Sequence, residues 1–595
     1  MERDVEIGIF EGTGIYDSGL LENAQEVDID TPYGKPSDTI TVGTFKGTKA
    51  RMAAYYGFPQ RRSKLPAVLH LHGGSQRAFL NEVKDYVKRG YACISINWGG
   101  KELAEHNPDG ANTDWGKLNP GFVGDGHGEK FGLKPSPYTI DDFESPRNCD
   151  WYPRIIAARR AITSLEQQPE IDASRLGVYG HSMGGVLTFY VAGTDGRVKA
   201  AVPSVGGPGF LTFDEEYLPG TARRINGGDL DLFSNTMGQQ SYAPNVQCPI
   251  LFLGATNDFN SRMNHVYVTY GLIPHNEKRY TFAPHLNHRF TDTAAICRPL
   301  WFDQHLKQDF VSPDTPQSEL ILGRPDGIPL FSVAPDLTRE IVSVDIYYSV
   351  DPDSIARFWR DGHAENKGHR WVGKLPVMDI DRPLYAFANV TYKLKPTERV
   401  AGYENTSAFA ISSLLHKASP EELMKAGVKA TDTNCLIIDD FRRGFHDWFV
   451  LSDNNPHHWV YSTRKITDPK WYGPDAAKLV VELKNHEDNK LIIVAYENEW
   501  RGYRGKRNVY VAEVDLESSE NWQEVILAAR DFKQVRTREH DNIAKSGMLS
   551  KWNEIDRLEI RAYYDIYVGN KKTIIGDTKW KGLQPLLREI RWCVN

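Results

Sequence analysis

The stretch GVYGHSMGGV, residues 177–186, decides the fold. It places four glycines within five residues of Ser182. Glycine loses more backbone freedom on ordering than any other residue, so it destabilises helix and strand interiors. Such a density of glycine therefore predicts a sharp turn around Ser182 that bulkier residues could not adopt.

Short apolar runs alternate with helical stretches on both sides of this turn. The runs typical of buried strands are 66–72, 91–98, 175–181, 198–205, 248–255 and 278–284. Residues 151–167 carry apolar side chains at helical spacing. This alternation predicts an α/β fold, a mostly parallel sheet with helices on both faces. Strands that are apolar throughout fit burial on both sides.

Ser182 follows a strand and precedes a helix, which is the context of a G-x-S-x-G nucleophile elbow. Gly180 and Gly184 fill the two glycine positions, where side chains would collide in the turn. Gly185 lets the following helix pack close to the strand. The alternative is an ordinary glycine-rich turn with a capping serine.

The partners of an elbow serine follow it in the order acid, then histidine. Asp258 comes just after the fifth apolar run, where its alternative role is to form a turn. His285 and His288 come after the sixth. We expect His288 to be the base because it lies further into the loop, with His285 as the alternative. His288 would take the proton of Ser182, and Asp258 would orient the imidazole.

A tetrahedral intermediate also needs backbone donors for its oxyanion. We expect one from the amide of Met183 and another from the loop HGGS, residues 72–75, represented by Gly74. His72 is expected to shape that loop rather than react. No cluster of metal ligands stands out, so neither a metal nor a cofactor is predicted.

Composition limits the possible partners and compartments. A length of 595 residues predicts two to four domains, and a net charge of -7 provides no basic footprint for nucleic acid. The six scattered cysteines predict neither a zinc site nor a disulfide framework. No apolar run suggests a membrane span, and the N-terminus lacks the apolar core of a signal peptide. We expect a soluble protein, cytoplasmic as written and secreted or periplasmic if a signal has been lost; the oligomeric state stays open.

Past about residue 312, the pattern changes to period two. Residues 340–350 and 384–394 predict an antiparallel sandwich of immunoglobulin or fibronectin type over 312–418. Residues 419–434 are predicted to form a helical linker, and 435–595 resemble a jelly-roll module of the carbohydrate-binding type. That module is predicted equally to bind sugar or to support the preceding α/β part of the chain structurally. Its tryptophans could stack on sugars, but the core is the favoured place for each: Trp448, Trp459, Trp471, Trp500 and Trp552.

Residues 47–311 resemble α/β-hydrolases of the dienelactone hydrolase and acetyl xylan esterase-like group. The matching pieces are LHLHGGSQ, SINWGG, GVYGHSMGG, GATNDFN and PHLNHRF. The resemblance implies an α/β-hydrolase fold and activity on small esters such as acetylated carbohydrate. Dienelactone hydrolases use a cysteine nucleophile, and Ser182 here points to ester hydrolysis instead. Met183 stands where one esterase branch has glutamine, so the subfamily stays open.

Residues 1–46 resemble the opening of methylthioadenosine and purine nucleoside phosphorylases. In that family the turn equivalent to Gly12-Thr13-Gly14 helps to hold phosphate. The family's next segment does not follow, so no phosphorylase site can be completed. We expect a fused remnant that adds a strand or stays loose.

Taken together, these features predict a serine carboxylesterase acting on small acyl esters, with acylated carbohydrate as the favoured substrate. One alternative is a serine peptidase of the prolyl oligopeptidase kind, which shares this catalytic domain but usually carries a propeller before it. Another is a carbohydrate-binding protein on an inactive hydrolase scaffold. The presence of Ser182, Asp258 and His288 together argues against the second alternative.

Overall fold

The N-terminal half of the chain forms a sheet of eight strands. A computed structural model describes residues 7–12, 40–45, 48–59, 64–100, 113–117, 132–137, 139–206, 229–452, 457–497, 508–536, 547–568, 571–576 and 578–594. The strands of this half are β1 (Ile7–Gly12), β2 (Ile40–Phe45), β3 (Thr48–Met52), β4 (Ala54–Pro59), β5 (Leu65–Leu71), β6 (Ala92–Ile96), β7 (Ile171–His181), β8 (Val198–Ser204), β9 (Ile250–Ala255) and β10 (Lys278–Ala283). The order across the sheet is β1-β4-β6-β5-β7-β8-β9-β10, while β2 and β3 form a separate pair. Neighbours from β6 to β10 run parallel, and β4 and β1 are antiparallel.

Helices cover both faces of this sheet. They are α1 (Leu80–Lys88), α2 (Trp151–Gln167), α3 (Met183–Thr194), α4 (Leu230–Thr236), α5 (Met263–Leu272), α6 (Asp292–Ala295) and α7 (Cys297–Phe302), and α8 (Pro420–Lys425) lies further along the chain. Successive residues of a strand point to opposite faces. Leu69 accordingly joins the core formed with α2 and α3, whereas Val68 joins the core formed with α1 and α7. The predicted α/β-hydrolase fold is confirmed, and the predicted helix 151–167 coincides with α2.

The next region consists of antiparallel sheets. Its strands are β11 (Gln317–Ile321), β12 (Leu330–Ala334), β13 (Ile341–Ser349), β14 (Arg360–Asp361), β15 (Glu365–Asn366), β16 (Trp371–Lys374), β17 (Leu384–Glu398), β18 (Thr406–Ser412) and β19 (His416–Ala418). They form the sheets β11-β12-β16-β15 and β14-β13-β17-β18, with β19 paired to β17. The linker helix is shorter than the pattern suggests, because Gly427 has a φ of +74°, typical of a residue that ends a helix.

The C-terminal region is also antiparallel. Its strands are β20 (Ile437–Asp439), β21 (Phe449–Ser452), β22 (Trp459–Thr463), β23 (Lys478–Lys484), β24 (Asn489–Glu497), β25 (Asn508–Leu516), β26 (Gln523–Ala528), β27 (Lys533–Arg536), β28 (Ile555–Arg561), β29 (Tyr563–Val568), β30 (Lys571–Gly576) and β31 (Leu586–Cys593). The sheets are β20-β31-β23-β26 and β21-β22-β28-β24-β25-β27, with a β29–β30 pair. The all-β class predicted for both C-terminal regions is therefore confirmed, while the domain boundaries remain predictions.

Most of the candidate sugar-facing tryptophans are buried. Trp448, Trp459 and Trp552 belong to the hydrophobic core of the C-terminal region. Trp471 is half-buried, its ring 5.4 Å from that of Phe358 in the preceding sandwich. Trp500 lies outside the described residues. Three of the five candidates thus serve packing, as favoured from the sequence.

The phosphorylase-like segment contributes β1, which adds to the edge of the large sheet beside β4. Thr13 and Gly14 lie outside the described residues, so the phosphate-binding turn cannot be placed. Among the helices that the structure describes, none has the length and apolarity required to cross a bilayer.

Candidate active site

Ser182 stands at the turn between β7 and α3, with φ of 59° and ψ of -118°. A non-glycine residue with positive φ is strained, and such strain is common at functional sites. Glycines make the turn possible: a Cβ at Gly184 would lie 1.9 Å from the carbonyl oxygen of Leu71, and one at Gly180 would lie 2.5 Å from that same oxygen. Both positions of the G-x-S-x-G motif therefore exclude any side chain.

A third glycine at the turn, Gly206, lies outside the G-x-S-x-G motif and was not predicted. A Cβ at Gly206 would lie 1.7 Å from the carbonyl oxygen of Ser182. Gly206 follows β8, the strand next to β7, and the amide of Ser182 donates to the carbonyl of Ser204 at 2.8 Å. The only signal in the sequence is a glycine pair just after a strand that neighbours the elbow.

The structure brings the three predicted side chains together. His288 Nε2 lies 2.8 Å from Ser182 Oγ, and His288 Nδ1 lies 3.0 Å from Asp258 Oδ2. All three residues follow the carboxyl ends of parallel strands, β7, β9 and β10, which meet at one edge of the sheet. Each contact is within hydrogen-bond distance.

Backbone amides hold the Asp258 carboxylate in place. Oδ1 accepts from the amides of Asn260 at 2.7 Å and Ser261 at 2.8 Å, which leaves Oδ2 for His288. The residue is only 1% exposed. An acceptor fixed in this way selects the imidazole tautomer with its proton on Nδ1, so that Nε2 can accept from the serine hydroxyl.

His285, the alternative base, takes a different place. Its ring stacks on Phe358 at 5.0 Å, and its Nε2 lies 3.9 Å from Asp447 Oδ1. It is 7% exposed, and burial lowers its pKa to about 4. The geometry thus puts His288, rather than His285, beside Ser182.

The two predicted oxyanion donors lie next to each other. Met183 is the first residue of α3, where the helix itself offers no acceptor for the amide. A Cβ at Gly74 would lie 2.7 Å from Met183 Sδ, so the loop after β5 runs directly against this helix start. This contact brings the loop predicted to supply the second donor against the residue that follows Ser182.

His72 is held in the loop 72–75 by hydrogen bonds at both ring nitrogens. Its Nδ1 donates to the Gly73 carbonyl at 2.7 Å, and its Nε2 accepts from the Gly99 amide at 3.2 Å. The ring stacks on Trp98 with centroids 4.6 Å apart. Burial lowers its pKa to about 3, so the ring stays neutral and keeps both bonds.

Two asparagines outside the predicted site brace the loops that carry Asp258 and His288. Asn287 Oδ1 accepts from the amide of Phe259 at 3.2 Å, which joins the histidine loop to the aspartate loop. Asn257 Nδ2 donates to the carbonyl of Ile355 at 2.9 Å, about a hundred residues further along the chain. Nothing in a local pattern marks such long-range contacts.

A cavity of 160 Å³ adjoins His181, the residue before Ser182. Its lining includes His181, Gln76, Glu82, Arg298 and Tyr403. The ring of His181 meets that of His288 edge-on at 5.4 Å. Burial lowers the pKa of His181 to about 4, so this neighbour adds no positive charge beside the imidazole near neutral pH.

Two family models match the chain. Residues 19–212 match acetyl xylan esterase (AXE1), and residues 147–296 match the dienelactone hydrolase family. Among solved structures, the acetyl xylan esterase from Paenibacillus sp. R4 is 17% identical with a TM-score of 0.34, covering 43% of this chain and 81% of that one. Acetyl xylan esterase 1 from Thermoanaerobacterium sp. JW/SL YS485 is 17% identical with a TM-score of 0.36, covering 50% and 88%.

The curated relatives match stretches of very different length. The S-methyl-5'-thioadenosine phosphorylase of Nitrosopumilus maritimus is 79% identical over 57 residues, 10% of this chain and 22% of that protein. The chain thus spans about a fifth of the length of this relative. An uncharacterized peptidase, YuxL of Bacillus subtilis, is 23% identical over 262 residues, 40% of this chain and 35% of that protein. The chain is therefore a composite, in which a short phosphorylase-like segment leads into a part similar to the acetyl xylan esterase and dienelactone hydrolase families.

Proposed function

We propose that this protein is a serine hydrolase that cleaves small carboxylic esters, with acetylated carbohydrate as the favoured substrate. The observation that carries the proposal is the chain of contacts from Ser182 Oγ to His288 Nε2 and from His288 Nδ1 to Asp258 Oδ2. The acetyl group as the favoured acyl rests on the match of residues 19–212 to the acetyl xylan esterase family.

In this proposal His288 takes the hydroxyl proton as Ser182 Oγ attacks the ester carbonyl. Asp258 keeps the imidazole oriented and stabilises its charged form. The amides of Met183 and Gly74 donate to the oxyanion. The imidazolium then protonates the leaving alcohol, and a water activated by the same ring releases the acid from the acyl-serine.

Substitution of the serine tests this directly. Ser182→Ala removes the nucleophile and is expected to lower kcat on 4-nitrophenyl acetate by about three to six powers of ten. Ser174→Ala is the matched control, because Ser174 is exposed on the same strand. A fluorophosphonate probe should label the wild type and the control but not Ser182→Ala. Equal turnover by Ser182→Ala and the wild type would overturn the proposal.

A peptidase is the second candidate, favoured by the similarity to YuxL. The two candidates share the nucleophile and differ in the leaving group, which is an amine in a peptide. A panel of acyl esters beside a proline-peptide anilide separates them. We expect turnover of acetyl esters to exceed that of the anilide, and the reverse order would assign the site to peptides.

A further inference from the structure

A cluster of three metal-binding side chains lies outside the catalytic contacts. His285 comes from the loop after β10, while His446 and Asp447 come from the segment between β20 and β21. One donor atom from each lies within 4.8 Å of the other two. The cluster therefore joins the histidine loop of the hydrolase to the C-terminal region.

The distances suit a small transition-metal ion. His446 Nδ1 lies 3.3 Å from Asp447 Oδ1, and His285 Nε2 lies 3.9 Å from that same oxygen. Bonds of about 2.0–2.1 Å in tetrahedral geometry place neighbouring donors about 3.3 Å apart. Two imidazoles and one carboxylate are ligands typical of Zn²⁺, with a fourth position left for water.

A second observation that points to a bound ion concerns the His285 side chain. Its Nε2 is buried and has no hydrogen-bond partner among the described residues, and the residue is 7% exposed. The ring is fixed between Phe358 at 5.0 Å and Tyr347 at 6.3 Å. A buried polar atom without a partner destabilises a protein and calls for an explanation, of which a bound ion is one.

The surrounding groups leave the donor atoms available. Lys465 Nζ donates to Asp447 Oδ2 at 2.6 Å, so it orients the carboxylate through one oxygen and leaves Oδ1 for the ion. His446 Nε2 lies 3.4 Å from Tyr347 Oη and 3.3 Å from Arg443 Nη2. With a metal on Nδ1, Nε2 carries the proton and donates to Tyr347 Oη. Arg443, which can only donate, then turns Nη2 away from Nε2 and keeps its ion pair with Asp361 through Nη1.

We propose that His285, His446 and Asp447 bind a divalent transition-metal ion of the Zn²⁺ class. The ion would tie the loop that carries His288 to the C-terminal region. This role is structural and independent of the ester chemistry, because its donors touch neither Ser182 nor Asp258.

Zn²⁺ binding to the full chain tests the site. The protein is stripped with a chelator, and Zn²⁺ is titrated in competition with a colorimetric chelator while thermal unfolding is followed. We expect one tightly bound equivalent and a higher Tm with Zn²⁺ than without it. Absence of a stoichiometric Zn²⁺ would overturn the proposal.

Variants assign the ligands. His446→Gln changes a half-buried side chain and is expected to weaken Zn²⁺ affinity at least about 100-fold, since even supporting groups around metal ligands contribute 10–100-fold. His369→Gln, at an exposed histidine, is the control and should bind as the wild type does. Unchanged affinity in His446→Gln would refute the assignment. If that variant fails to fold, the visible spectrum of Co²⁺ bound to the wild type decides, because a tetrahedral site absorbs intensely and an octahedral aqua ion does not.

Discussion

Replacement of Asp258 by asparagine isolates the orienting role proposed for the carboxylate. The asparagine keeps an acceptor for the amides of Asn260 and Ser261, which bond to Oδ1 at 2.7 and 2.8 Å. It replaces Oδ2, which faces His288 Nδ1 at 3.0 Å, by an NH₂ group. The NH₂ group of the asparagine and the N–H at His288 Nδ1 would then be two donors facing each other. The ring proton should therefore move to Nε2, which could then no longer accept the proton of Ser182.

The expected effect is large on kcat and small on folding. Loss of the correct tautomer and of the negative charge beside the imidazolium typically lowers kcat by about 10⁴, which is about 5 kcal/mol in activation free energy. The KM should change little, because Asp258 is 1% exposed and reaches the substrate only through His288. With both amide bonds kept, we expect the free energy of unfolding to change by no more than about 1–2 kcal/mol.

Steady-state hydrolysis of 4-nitrophenyl acetate and urea unfolding measure the two effects. Asp229→Asn is the matched control, because Asp229 accepts from the amides of Asp231 and Leu232 at 2.9 and 3.0 Å and is exposed at the start of α4. That control should keep full activity. A kcat for Asp258→Asn within tenfold of the wild type, in a folded protein, would refute the orienting role.

Two further predictions concern stability. Gly184→Ala places a Cβ 1.9 Å from the backbone oxygen of Leu71 and should lower the free energy of unfolding by more than about 3 kcal/mol. The Cβ of Gly271→Ala in α5 meets nothing within 4 Å, so this control should be neutral or mildly stabilising, and equal chemical-denaturation midpoints for the two variants would contradict the prediction. Burial lowers the pKa of His72 to about 3 and the pKa of His181 to about 4, so unfolded chains bind these protons first as the pH falls through about 6.5. Stability should therefore fall by about 1 kcal/mol per histidine between about pH 7 and about pH 5.5, and urea unfolding that shows no loss over this window would contradict it.

The site residues that could be predicted are those that come shortly after the end of a strand. The apolar run 278–284 corresponds to β10, Lys278–Ala283, and it places His288 at the edge of the sheet where Ser182 lies. Asp258 follows β9 for the same reason. Periodicity is a local property, so it locates strands and the loops that follow them without knowledge of the tertiary fold.

The residues that brace the site could not be predicted in this way. Gly206 matters because β8 lies beside β7, so that its backbone meets the carbonyl of Ser182. Asn257 matters because its amide reaches the carbonyl of Ile355 in another region of the chain. Both effects arise from pairings that only the folded chain brings about, and beyond the glycine pair at 206–207 the sequence gives no local pattern for them.

Different kinds of contact hold the two edges of the large sheet, side-chain hydrogen bonds at β10 and main-chain pairing at β1. The difference bears on the predicted domain boundaries. At the β10 edge, Asn389 Nδ2 donates to the carbonyl of Phe282 at 2.9 Å, the amide of Phe282 donates to Ser412 Oγ at 2.9 Å, and Ser412 Oγ donates to Asn389 Oδ1 at 2.6 Å. These bonds need particular side chains of the following sandwich, and they hold the strand that leads into the His288 loop.

At the opposite edge, β1 pairs with β4 from Ile7 opposite Pro59 to Gly12 opposite Ala54. Ladder pairing uses main-chain groups that almost any residue provides. A phosphorylase-like segment can therefore pair with β4 even though it resembles a different family from the rest of the sheet. The sandwich, by contrast, is joined to this sheet by hydrogen bonds of particular side chains, Asn389 and Ser412, so direct contacts cross the boundary predicted between residues 311 and 312.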